Sequence, residues 1–223
     1  MKSLSVKSAV VSAVMLLAAT AAHAELTTYT NQSAYLAAVG NTGVDTYNDL
    51  DWYEQDRYDS PLPRNAGDYG YTISAGPKNQ HLYVAGDIDG EWWLSTANDG
   101  DALNFTNFGN NIAGAGGFFF GSDMGGYSQP GFSILVTGID STGASLSYVI
   151  ENSQTNSFLG FVSDAHMVSI SVSSVHGDDE YVWPTVNDFT LSVSAVPEPS
   201  SYGMMLAGLG LFGYTARRKQ RKS

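Results

Sequence analysis

The chain is 223 residues long, contains no cysteine, and carries 22 acidic against 10 basic residues, a formal net charge of -12. Between residues 25 and 196 only Arg57, Arg64 and Lys78 face 21 acidic residues, a formal -18. A surface so acidic repels nucleic acid, and the lack of cysteine excludes both a disulfide framework and a thiol nucleophile.

The first 24 residues have the three parts of a secretory signal peptide: Lys2 and Lys7, an apolar run over residues 9–19, and the small residues Ala22 and Ala24 just before Glu25. Secretion machinery and a signal peptidase are therefore expected partners, with cleavage between Ala24 and Glu25. Residues 25–196 then form one ectodomain, long enough to bury a substantial core. One helix is expected, over residues 33–39, capped by Asn31 or Ser33 and stopped by Gly40.

The rest of the ectodomain reads as short β-prone runs broken by glycine, asparagine and aspartate, at residues 81–85, 91–95, 117–120, 132–137, 144–150, 157–162, 167–175 and 188–193. In the run 167–175, alternation puts Val168, Ile170 and Val172 on one face and serines on the other. Between two runs, Asp140-Ser141-Thr142-Gly143 is a hairpin signal, because glycine takes positive φ without steric cost. Many short strands at this spacing predict an all-β antiparallel sandwich or barrel.

Near the C-terminus, Gly208, Gly210 and Gly213 spell G-x-G-x-x-G. A dinucleotide site needs a strand before the first glycine, a helix after the last and an acidic residue about twenty positions on. The residues after Gly213 are instead dominated by arginine and lysine. Residues 202–216 carry no formal charge and are followed at once by Arg217, Arg218 and Lys219, which reads as a transmembrane helix with a basic cytoplasmic tail at 217–223. At about 1.5 Å per residue that helix spans about 22 Å, so local bilayer thinning or snorkelling is required.

Val196-Pro197-Glu198-Pro199, the apolar segment and the arginine-rich end together resemble the PEP-CTERM sorting signal of bacterial exported proteins, also labelled the C-terminal domain of ice-binding proteins. The resemblance implies recognition of Pro-Glu-Pro, within the spacer 197–201, by an exosortase-type membrane protease. It also implies transient anchoring in the inner membrane with the domain outside, then delivery to the cell surface or extracellular matrix. Two prolines suit this role physically, since they hold Glu198 in an extended, non-helical segment.

The ectodomain resembles the β-sandwich domains of such proteins through residues 33–39 leading to 45–50, then 114–120, 157–161 and 184–189. This implies a jelly roll of the carbohydrate-binding-module type, with first and last strands side by side, and contact with extracellular polysaccharide. Pairing of the ends would bring Asp45 and Asp49 to Asp188, and three carboxylates suit calcium, a hard cation that takes oxygen ligands. A second calcium candidate is Asp87, Asp89 and Glu91 around Gly90, a partial calcium loop. Solvated acidic turns are the alternative for both clusters.

Trp52, Trp92, Trp93 and Trp183 are candidates to stack on a sugar face, with core packing as the alternative. No catalytic residue is assigned: His81, His166 and His176 match no metal spacing. Gly126-Tyr127-Ser128-Gln129-Pro130 lacks the last glycine of a nucleophile elbow. The expected protein is a non-enzymatic surface protein, structural or adhesive, with carbohydrate binding as its leading specific role. The alternative is a secreted glycan-active hydrolase using paired carboxylates. An ice-binding surface has no regular threonine array behind it.

Overall fold

The computed structural model describes residues 25–50, 55–86, 90–177 and 180–195. In chain order these form β1 (Leu26–Tyr29), α1 (Gln32–Ala38), β2 (Val39–Asp45), β3 (Arg57–Asp59), β4 (Leu62–Ala66), β5 (Tyr69–Gly76), β6 (His81–Gly86), β7 (Trp92–Thr96) and β8 (Ala102–Thr106). They continue with β9 (Ile112–Ser122), β10 (Ser133–Asp140), β11 (Ser145–Ile150), β12 (Phe158–Ser163), β13 (Met167–Val175) and β14 (Trp183–Ser194). Among the described residues no helix is long and apolar enough to cross a membrane.

Two antiparallel sheets pack face to face, as the alternating runs require when each strand has one apolar side. The larger has the order β1-β12-β9-β14-β7-β6-β3, with β2 also paired to β14, and the smaller has β11-β10-β13-β8-β5-β4. Leu82, Val84, Leu94, Phe119, Val186 and Phe189 of the first meet Ile73, Leu103, Phe105, Val136 and Ile170 of the second in one core. At its centre Phe105 and Phe189 stack with ring centroids 4.1 Å apart.

Local signals account for several elements. The Asn31 side chain accepts from the Ala34 amide at 3.0 Å and caps α1. The Asp140 carboxylate accepts from the amides of Thr142 and Ala144, and Gly143 sits at φ 85°, so the β10–β11 turn forms as its sequence predicts.

Two expectations are corrected by register. Val168 is exposed while Met167, Ile170 and Val172 are buried, because a bulge opposite Ile139 and Asp140 inserts one extra residue and flips the facing before Ser169. Of the first strands it is β2 that lies beside the last, with Asp45 opposite Phe189, whereas β1 pairs with β12. β14 exchanges β7 for β2 at a bulge between Asn187 and Thr190, where Asp188 adopts φ 49°.

The outer face of the larger sheet is covered unequally. Over one half lies α1, whose Tyr35 is buried against Phe158, with its hydroxyl 2.9 Å from that of Ser192. Gly160 makes this approach possible, since a Cβ there would stand 2.6 Å from the Tyr35 ring. Over the other half lies the loop after β9, bonded to the sheet through Trp93.

Candidate functional site

The partly covered half holds a groove of about 220 Å³, lined by Arg57, Asn79, Tyr83, Asp123, Met124 and Trp183 together with small residues at the end of β7. Strand alternation places its floor: Leu82 and Val84 point into the core, so Tyr83 and Ala85 face outward, and Trp93 and Ser95 do the same beside Leu94. Beneath the groove the hydroxyls of Ser95, Thr185 and Ser122 form a buried chain, at 3.2 Å and 2.7 Å.

One wall is the loop from Asp123. Its carboxylate accepts from the amides of Gly125 and Tyr127 at 2.8 and 3.0 Å, which turns the chain back on itself. The Trp93 indole N–H then donates to the Gly126 carbonyl at 2.8 Å and pins the loop to the sheet. On the other side Arg57 carries an exposed guanidinium 3.9 Å from the half-exposed carboxylate of Asp56. Two wider depressions, of about 470 and 430 Å³, lie beside β11 and beside the β4–β5 turn, and neither is lined by a cation.

Asp45 and Asp49 do come together, but on a guanidinium rather than an open cation site. Arg64 donates from Nε and Nη2 to Asp45 at 2.9 and 2.6 Å, and from Nη1 and Nη2 to Asp49 at 2.8 and 2.6 Å. The Tyr71 hydroxyl adds a bond to Asp45 at 2.7 Å, and Arg64 lies 5.5 Å from the Tyr47 ring centroid. Hydrogen bonds from Arg64 hold the Asp49 carboxyl below its ordinary pKa. Burial works against the charge of Arg64, yet its bonds to Asp49 and Asp45 raise its pKa. Burial, with Asp45 close by, raises the Tyr47 hydroxyl well above the usual range.

Asp188 makes none of these hydrogen bonds with Arg64: burial, and then the charge of Glu91, raise its carboxyl pKa. Glu91 accepts from the Asn187 amide at 2.7 Å. Among the described residues no group of three or more histidine, aspartate or glutamate side chains is placed to hold a metal ion. The calcium expectation at Asp45, Asp49 and Asp188 is corrected on this ground, because a cation with matching forks already occupies the two carboxylates. Asp87 and Asp89 of the second cluster fall outside the described residues, as do Ala22, Ala24, Trp52, Val196, Pro197, Glu198, Pro199, Arg217, Arg218 and Lys219.

The tryptophans divide. Trp93 is a correction: it is 2% exposed and packs edge-to-face on Phe120 with centroids 5.2 Å apart, so no ring face is open to a ligand. Trp92 packs against the main core. Trp183 is partly exposed and lines the groove. Arg57, Asn79, Tyr83 and Asp123 were not legible as site residues, because four separate segments deliver them. One available signal is the alternation of β6, which puts Tyr83 on the face away from Leu82 and Val84.

No curated protein matches the chain. Three solved structures similar in part are carbohydrate-binding modules. CsCBM6-3 from Clostridium stercorarium in complex with cellobiose is 15% identical, with 60% of this chain and 94% of that chain covered and a TM-score of 0.32. The CBM22-1 xylan-binding domain from Paenibacillus barcinonensis Xyn10C is 11% identical, with 63% and 94% covered and a TM-score of 0.31. TmCBM61 in complex with β-1,4-galactotriose is 14% identical, with 56% and 88% covered and a TM-score of 0.31. A family model, the PEP-CTERM protein-sorting motif, matches residues 195–222, so the chain carries the sorting signal that its Pro-Glu-Pro, apolar and arginine-rich order resembles.

Proposed function

We propose that this is an exported surface or matrix protein that binds carbohydrate, without cleaving it, in the groove between Tyr83, Trp183 and Arg57. The groove carries this reading: two aromatic side chains stand with a guanidinium, an amide and a carboxylate in one concavity. A sugar ring has an apolar C–H face that packs on an aromatic ring and a rim of hydroxyls that need donors and acceptors. Arg57 donates, Asp123 accepts and Asn79 does both. At about 220 Å³ the concavity suits roughly one ring, being smaller than the ~300 Å³ of drug-sized sites.

Hydrolysis of a glycoside needs two carboxyl groups across the bond, and Asp123 is the one carboxylate among the described residues that line the groove. Its route would be secretion, signal-peptide cleavage after Ala24, transient anchoring through residues 202–216, and release by an exosortase-type protease at Pro197-Glu198-Pro199. The sorting motif supports that route.

Titration of the purified protein against a panel of neutral and acidic polysaccharides tests the reading. At least one glycan is expected to bind, with Trp183→Ala weakening it about tenfold, the upper end of one lost stacking contact, and leaving the melting temperature nearly unchanged. Binding that survives Trp183→Ala, or a panel with no ligand, sinks the proposal. Cleavage of a bound glycan would replace it with a hydrolase that uses paired carboxylates.

A further inference from the structure

The groove and the sorting motif stand at opposite ends of one strand. β14 starts at Trp183, in the groove, and ends at Ser194, and the motif follows at residues 195–222. About eleven residue steps of ~3.3 Å separate the two by about 36 Å. Neighbouring strands agree on the direction. β9 runs from Ile112, opposite Val193, to Ser122, opposite Trp183, and then enters the groove loop. Val39 pairs with Ser194. The first strand residue, Leu26, lies opposite Ser163, beside the Val162–Gly114 pair and hence near Ser192. Both ends of the folded domain therefore lie away from the groove.

We infer that the groove faces outward while residues 195–222 still hold the chain at the membrane, so that polysaccharide beyond the membrane is captured before release and independently of processing. This rests on the carbohydrate reading for the identity of the partner. The orientation itself does not.

The chain has no cysteine, so one introduced thiol is a unique handle. Tyr127→Cys, in the groove loop, and Asn41→Cys, near Ser194, both fall at exposed positions. With the full chain in liposomes that carry a lipid-linked acceptor dye, a donor at residue 127 should transfer energy several-fold less than one at residue 41. A polyethylene glycol chain on residue 127 should leave cleavage by the sorting protease unchanged, whereas one on residue 41 should slow it. Equal or reversed energy transfer overturns the orientation. Slowing from residue 127 as strong as from residue 41 overturns the independence. Neither measurement uses a glycan, so a panel without a ligand defeats the carbohydrate reading and leaves this one to be decided by the dyes.

Discussion

Arg64 and Arg57 are two of the three basic residues between positions 25 and 196, and their surroundings could hardly differ more. Arg64 joins β4 to the segment after β2, is 10% exposed at its side chain, and spends its donors on Asp45 and Asp49. Arg57 is 65% exposed at the edge strand β3, and among the described residues its one ion-pair partner is Asp56 at 3.9 Å. A buried cation whose donors are taken up by the fold contributes to stability, whereas an exposed one lining a groove beside Tyr83 and Trp183 is the kind of group the proposed ligand would meet. The difference separates the structural acidic cluster from the binding site more sharply than residue type does.

The largest test of that contrast is Arg64→Ala. Asp45 is 4% exposed, and removal of its guanidinium would strand a buried charge, which costs about 3–5 kcal/mol. Urea or thermal unfolding should show a loss of that size, and a loss under about 1 kcal/mol would mean that the cage is incidental. Arg57→Ala should show the opposite pattern, with stability within about 0.5 kcal/mol of the parent and glycan affinity about tenfold weaker by calorimetry, as for one charge-assisted bond.

Acid sharpens the comparison further. The Asp49 carboxyl is held low by Arg64, so its contribution is present above the ordinary aspartate pKa of about 4 and is lost as pH falls through its lower folded value. Asp49→Asn should therefore melt below the parent at neutral pH, with the gap closing in acid. Asp188 has the reverse sign: burial and Glu91 raise its pKa, so its charge opposes folding as pH rises above about 4. Asp188→Asn should melt slightly above the parent at pH 7 and converge with it near pH 4. Asparagine also tolerates the positive φ found there.

Much of the secondary structure is legible in the sequence. The helix read at residues 33–39 spans Gln32–Ala38, and the run 167–175 is β13 over the same residues. Both follow from local patterns, a cap before an apolar repeat and the alternation of Ile170 and Val172 with serines. β4, with Pro63 and Arg64 in its middle, and the three-residue β3 carried too little alternation to be read, since each is held by its partner rather than by propensity.

The acidic cluster was legible only as a set of carboxylates. The sequence grouped Asp45 and Asp49 with Asp188 for a calcium ion and gave no sign of Arg64, which reaches the first two from another strand. Trp93 and Trp183 look alike in the sequence, and the fold separates them: Trp93 is buried beneath the loop after β9, whereas Trp183 stays partly exposed and lines the groove.

Signals that act over a few residues could be read from the chain alone: strand alternation, the Asp140 turn, the Asn31 cap and the ordered parts of the sorting motif. The groove, the Arg64 cage and the separation of ligand face from tether required the tertiary structure. Each depends on the register of β14 against β9, β7 and β2, and a shift of one residue there would turn every side chain to the opposite face.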